Sequence, residues 1–163
     1  MIIIACADRE WGIGRDSKLL FNIPEDMEFF KNATKGKTVV MGRKTFESLR
    51  IKPLPGRRNI VLTRSEIFSF EDTETVHSLT ELFSLLENTP KNDVFVIGGS
   101  NVYRQLLKYC DTAYITKVFS YGKADSFIAD FDKLSDWKTE CASEIMDSNG
   151  IEFQFVKYVR NYP

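Results

Sequence analysis

The sequence predicts an α/β fold, a mainly parallel central sheet with flanking helices and a C-terminal antiparallel hairpin at its edge. Three observations carry this. Runs dense in Val and Ile, such as Met1 to Ala7, Thr38 to Met41 and Val94 to Ile97, suit strands covered on both faces. Amphipathic segments with helix-start signals separate them, which implies right-handed crossovers between parallel neighbours. Two late strand-like runs, Trp137 to Ile145 and Ile151 to Val159, flank Asp147-Ser148-Asn149-Gly150 and read as the hairpin.

At 163 residues the chain suits one domain spanning 1–163, with no repeat, linker or low-complexity segment. A net charge of -1 gives no global pull toward nucleic acid or anionic membrane, so any anion must be held by a local cluster. The apolar runs are too short to span a bilayer, and Met1 leads straight into a strand pattern without a basic leader. A cytoplasmic protein is expected. The 3 cysteines, Cys6, Cys110 and Cys141, are an odd number at spacings that match no zinc site and read as reduced thiols. With His77 as the 1 histidine, a metal centre or Ser-His nucleophile has almost nothing to draw on.

In chain order, Met1 to Ala7 is a buried strand and Gly12 and Gly14 punctuate the loop after it. Pro24-Glu25-Asp26 opens a helix, since proline at the first position sacrifices only an orphan donor and acids meet the positive dipole end. Lys35-Gly36-Lys37 closes it, and Thr38 to Met41 leads through Gly42 into a helix from Arg43 to about Leu49. Pro53-Leu54-Pro55-Gly56 fixes and then reverses the chain. A third strand, Asn59 to Thr63, precedes a short one near Thr75 to His77 and a helix from Ser78 to Glu87 that buries Leu79, Leu82, Phe83 and Leu86. Val94 to Ile97, the Gly98-Gly99 turn, a helix from Ser100 to Lys108 and a strand from Thr112 to Phe119 follow.

Two features point to chemistry. Asp26 shares a helix face with Phe29 and Phe30, so it is either a solvated helix-start acid or a carboxylate sunk in an apolar pocket and bonded to a ligand. Two strand ends, at Gly42-Arg43-Lys44-Thr45 and Gly98-Gly99-Ser100, carry glycine before a helix start, where an open α/β sheet binds ligands. Arg43 and Lys44 at a helix N-terminus oppose the dipole, a cost that makes sense if an anion sits between them. Thr63, Arg64 and Ser65 form a third group able to hold phosphate, and Arg57 can clamp a carboxylate; each also reads as ordinary loop polarity. Neither standard nucleotide fingerprint is present.

Along nearly its whole length the chain resembles the dihydrofolate reductases. The resemblance rests on Gly12-Ile13-Gly14, Asn22-Ile23-Pro24-Glu25-Asp26-Met27 with Phe29-Phe30, Val40-Met41-Gly42-Arg43-Lys44-Thr45-Phe46-Glu47-Ser48, Leu54-Pro55-Gly56-Arg57-Arg58-Asn59, Val96-Ile97-Gly98-Gly99-Ser100-Asn101-Val102-Tyr103, and Thr116. It implies NADPH-dependent reduction of 7,8-dihydrofolate to tetrahydrofolate, with hydride passing from nicotinamide C4 to pterin C6. Asp26 would hold the pteridine and promote protonation at N5, with Thr116 bonded to it and Phe21 beside the ring as the remaining catalytic position. The implied substrate set is Ile4, Cys6, Asp26, Met27, Phe30, Ser48, Leu49, Leu54, Arg57, Ile97, Tyr103 and Thr116, with Arg57 on the glutamate α-carboxylate. The implied NADPH set is Ala5, Cys6, Ile13, Gly14, Leu19, Gly42, Arg43, Lys44, Thr45, Thr63, Arg64, Ser65 and Ile97 through Tyr103, namely Gly98, Gly99, Ser100, Asn101, Val102 and Tyr103. Within it Arg43, Thr63 and Arg64 would take the 2′-phosphate, Thr45 and the Gly99 to Asn101 amides the pyrophosphate, and Ala5, Cys6, Ile13 and Gly14 the nicotinamide.

The family usually places proline then tryptophan before the helix, and here stand Leu20 and Phe21. Leucine frees backbone that proline would fix, and phenylalanine lacks the indole N–H that would hold an ordered water. A lone carboxylate in a dry pocket fits acid-assisted hydride transfer, and a loop from Arg9 to Asn22 would close over the nicotinamide and exclude water. The expected partner is the small-molecule substrate alone, with no nucleic acid, membrane or metal, and the chain is expected to be a monomer. Two other readings compete. A same-fold reductase of a ribosylated pyrimidine in riboflavin synthesis would have less need of Arg57 and Asp26, and a non-catalytic folate- or nucleotide-binding structural protein would not need Asp26, Thr116 and Arg57 together.

Overall fold

The computed structural model describes residues 1–162. Its centre is a sheet in which β1 (Ile2–Ala7) lies between β6 (Val94–Gly98) and β7 (Thr112–Val118), parallel to both. Beyond β6 come β3 (Thr38–Gly42), β4 (Arg58–Leu62) and β5 (Thr73–Val76), all parallel. On the other flank β11 (Ile151–Arg160) runs antiparallel to β7. The fold class expected from sequence is the one observed.

Alternation along the strands separates two cores. Ile2, Ile4, Val39, Met41, Val61 and Phe95 face one side, where α1 (Pro24–Thr34) and α2 (Arg43–Ser48) cover them with Phe29, Phe30 and Phe46. Ile3, Val40, Ile60, Val94 and Val96 face the other, packed by Leu82 of α3 (Leu79–Leu85) and by Val102, Tyr103 and Leu106 of α4 (Ser100–Leu106). A continuous apolar run is thus a strand with a core on each side, and neither face can turn to water without exposing the other core.

Helix starts follow local chemistry. Pro24 opens α1 after the extended Ile23 without any side-chain cap. Ser78 caps α3 by accepting from the Glu81 amide at 3.1 Å, while the Glu81 carboxylate accepts from His77 N at 2.7 Å. The start of α2 at Gly42 and of α4 at Gly99 have no side-chain cap, so their first amides are left for something else.

Two details differ from expectation. The first arm of the C-terminal hairpin is not one strand but β9 (Trp137–Ala142) and β10 (Met146–Ser148), both paired to β11. At the break Ser143 N donates to Phe155 O at 2.8 Å and Ser143 Oγ accepts from Phe155 N at 3.0 Å, so a side chain replaces one rung of the ladder. The second is an extra two-stranded sheet of β2 (Gly12–Gly14) and β8 (Ser126–Phe127), whose partners lie too far apart in sequence to be seen as a pair.

Candidate active site

The strands of the parallel sheet end their carboxyl termini along one edge, and register sets which side chains meet there. Cys6 on β1 lies directly opposite Thr116 on β7. Asp26, in the first turn of α1, reaches across to them, and Thr116 Oγ1 donates to Asp26 Oδ1 at 2.6 Å. Burial pushes the Asp26 carboxyl above its usual range, and the hydrogen bond from Thr116 pulls it partly back. Burial therefore outweighs that hydrogen bond. Asp26 is half-buried and bonded to Thr116, which fits the second of the two readings open for it.

Around this carboxylate the cleft is apolar. Phe29 and Phe30 share its helix face and pack with Leu49, Leu54 and Ile97 against the core below. Met27, on the neighbouring turn position, is 48% exposed at the rim. Phe21 packs with Cys6 beside Ile23, Val118 and Phe153. Ser48 is exposed and donates to Thr45 O at 2.7 Å. The Tyr103 hydroxyl, buried, donates to the Ile4 carbonyl at 2.8 Å, which ties α4 to the strand beneath the cleft.

At the far end Arg57 is held by its own turn. Its Nε donates to Pro55 O at 2.9 Å and its Nη1 to Thr34 Oγ1 at 3.1 Å, with the guanidinium over the Phe30 ring at 5.9 Å. Buried Asn59 braces the same turn, accepting from Leu54 N and donating to Leu54 O and Arg57 O, each at 2.9 Å. A guanidinium pinned through two nitrogens, with donors to spare, is pre-set for a carboxylate.

The other half of the edge is a second cradle. Gly42 sits at the end of β3, where an added Cβ would meet Val102 Cγ2 at 3.2 Å; one on Gly99 would meet Thr45 Oγ1 at 3.4 Å. The peptide between Gly98 and Gly99 is cis, and Gly98 has φ 118 with the Tyr103 ring against it. Two uncapped helix starts and the Thr45 hydroxyl thus converge, a donor set that fits a pyrophosphate. Strand register aligns Gly42 with Leu62 and Leu62 with Val76, so Arg43, Thr63 and His77 follow at three adjacent strand ends. His77 Nδ1 lies 2.9 Å from Thr63 O. Arg43 spends its Nε on Glu47 Oε1 at 2.7 Å and stacks over Phe68 at 5.7 Å, while Arg64 is exposed. Lys44 and Asn101 are exposed, and Ser65 N donates to Thr63 Oγ1 at 3.1 Å.

A family model described as dihydrofolate reductase matches residues 1–160. The chain belongs to the dihydrofolate reductase family. It is 38% identical to the dihydrofolate reductase of Staphylococcus haemolyticus over 138 residues, covering 83% of this chain and 80% of that protein. With the dihydrofolate reductase of Neisseria gonorrhoeae it shares 37% identity over 158 residues, 97% of this chain and 96% of that one. Its fold superposes on Enterococcus faecalis dihydrofolate reductase, solved in complex with NADP(H) and RAB-propyl, with a TM-score of 0.86 at 31% identity, covering 99% and 96% of the two chains.

What this chain holds beyond its motifs is a set of braces that sequence reasoning missed. Asp8, 6% exposed, accepts from Gly12 N at 2.8 Å and Glu10 N at 2.9 Å with one oxygen and from Gly122 N at 2.8 Å with the other. Asp125 Oδ2 accepts from Asp16 N at 2.9 Å, and Asp125 N donates to Gly14 O at 3.0 Å. These bonds fasten the loop carrying Ile13, Gly14 and 65%-exposed Leu19 to the segment after β7. Asp8 directly before a Gly-rich loop was the available signal; Asp125, Thr34 and His77 gave none. Among the described residues no group of His, Cys, Asp and Glu is arranged to hold a metal, and no helix is long and apolar enough to cross a membrane.

Proposed function

We infer that the chain catalyses NADPH-dependent reduction of 7,8-dihydrofolate to tetrahydrofolate. The observation that carries this is Asp26, the one carboxylate in an apolar cleft, bonded to Thr116 and raised by burial. NADPH, when bound, supplies the hydride received at pterin C6. The chain supplies the rest. The Asp26 carboxyl pairs with the N3 and 2-amino side of the pterin and favours the form protonated at N5, which makes C6 electrophilic. Phe30, Leu49, Leu54, Met27 and Ile97 keep the remainder of the substrate dry, Phe21 borders the ring, and Arg57 takes the glutamate α-carboxylate.

For the cofactor, Thr45 and the amides after Gly42 and Gly98 would hold the pyrophosphate, and Arg43, Thr63, Arg64 and Ser65 the 2′-phosphate, with His77 beside them. Ala5, Cys6, Ile13, Gly14 and Leu19 would border the nicotinamide, and the loop from Arg9 to Asn22 would close over it and exclude water. The chain is read as one domain and a monomer. Its thiols, Cys6, Cys110 and Cys141, are all free, as suits the reducing cytoplasm. Loss of absorbance from NADPH with dihydrofolate, abolished by methotrexate, is the expected result. Tight methotrexate binding without turnover would overturn the catalytic reading in favour of a binding protein.

A further inference from the structure

Away from the cleft, a cavity of about 460 Å³ opens where α3 and α4 meet the turn before β9 and the end of β11. Its size is that of a small-molecule site. Leu79, Leu107 and Leu134 give it an apolar floor, and its walls carry Arg104, Lys108 and Arg160 against a single acid, Asp136. Among the described residues two buried side-chain polar atoms have no hydrogen-bond partner, Trp137 Nε1 and Arg160 Nε, and both residues line this cavity. Buried donors are rarely left so, because each has given up its bonds to water. We propose that the cavity is a second ligand site, one that takes a small organic carboxylate with an apolar body.

The walls are short of acceptors and of negative charge. Trp137 is 5% exposed, and the Arg160 guanidinium lies over its ring at 5.0 Å. That guanidinium is fixed in place: Nη1 donates to Lys108 O at 2.7 Å and Nη2 to Leu107 O at 3.2 Å. Its Nε stands 3.1 Å from Asp136 Oδ2, an ion pair without the direction of a hydrogen bond. Arg104 and Lys108 are exposed one turn apart, where α4 runs into the turn after it. Among the described residues neither has an ion-pair partner. Like charges at that spacing repel, and an anion between them removes the cost. The leucine floor asks for carbon, and Asp136 beside the cations opposes a doubly charged phosphate more than a singly charged carboxylate.

The probe is 4-phenylbutyrate, with 4-phenylbutan-1-ol as its neutral twin and inorganic phosphate as an anion without an apolar body. The 2 tryptophans give separate indole N–H signals in nitrogen-labelled protein, and Trp137→Phe or Trp11→Phe assigns them. Titration of the full chain with 4-phenylbutyrate is expected to move the Trp137 signal and leave that of Trp11, with a Kd of about 1 mM or tighter. Arg104→Glu and Lys108→Glu, at exposed positions, are each expected to weaken binding about tenfold while the Tm stays near wild type. The titration is repeated with NADPH and methotrexate present, and the same response is expected. A Trp137 signal that does not move, equal binding of the alcohol, a stronger response to phosphate, or charge-reversed variants that bind as wild type would each overturn the proposal. So would loss of the response once NADPH and methotrexate are added, since the probe would then be sitting in the cleft. Turnover plays no part in the readout, so failure of the reductase reading would leave this result standing.

Discussion

Asp26 is under two opposed demands. The first turn of α1 favours its charged form, but burial raises its carboxyl, and burial wins. A carboxyl raised in the folded state contributes stability fully present below its unfolded value of about 3.9 and lost as pH rises through the folded value. Asp26→Asn is therefore expected to raise Tm at pH 8, by roughly 3–5 °C for each pK unit of the shift, and to change little near pH 3. The same substitution is expected to lower turnover at pH 7 on the order of 10²-fold, checked by single-turnover kinetics. Phe21 packs against the same strands as Cys6 but offers no donor. Phe21→Trp is expected to alter the hydride step or folate affinity; if neither moves, the missing indole N–H has no functional weight here.

Among the elements, the loop from Asp8 to Asn22 depends on close packing as well as hydrogen bonds. An added Cβ at Gly122 would lie 2.7 Å from Leu20 Cδ1 and 2.9 Å from Leu20 Cβ. Gly122→Ala is expected to push the loop off its seat, lowering stability by about 1–3 kcal/mol and slowing turnover several-fold. Leu20→Ala in the same chain should return part of both losses, and a double-mutant cycle measures that coupling. The antiparallel pair β7 and β11 has its own fastener. Asp132 accepts from Tyr158 of β11 at 2.7 Å and from Lys117 of β7 at 2.6 Å. Burial raises its carboxyl, but the bonds from Lys117 and Tyr158 outweigh that and leave it below the usual range. The stability it gives is present above its unfolded value and lost as pH falls through the folded one. Asp132→Asn should cost about 1 kcal/mol at pH 7 in denaturant unfolding and progressively less in acid.

For the whole molecule, the proposed cofactor cradle would draw on β3, β4, β6, α2 and α4, so occupancy would tie the two cores together. Binding only the folded chain, NADPH at 100 times its Kd should stabilise it by about 2.7 kcal/mol, a rise in Tm of roughly 5–10 °C. NADH at the same concentration is expected to give a smaller rise, because the cations and hydroxyls at Arg43, Thr63 and Arg64 have no 2′-phosphate to meet. Equal shifts for both, by calorimetry, would remove the 2′-phosphate assignment.

The sequence by itself determined the parallel sheet, α1 and its acid, and the two Gly-containing strand ends, because each depends on local periodicity or on one residue's backbone chemistry. Pro24, Gly42 and the alternation of Ile2, Ile3 and Ile4 act over a few residues, and their outcome is legible without a partner. Only the tertiary structure decided whether Asp26 faces solvent or the cleft, since that depends on Thr116 arriving from a strand far along the chain. Long-range pairing likewise decided the β2–β8 sheet, the Asp8 and Asp125 clamps and the Ser143 break in the hairpin arm. Hydrogen bonds between segments a hundred residues apart carry no periodic signal, and their energy exists only once the sheet has brought the two ends together.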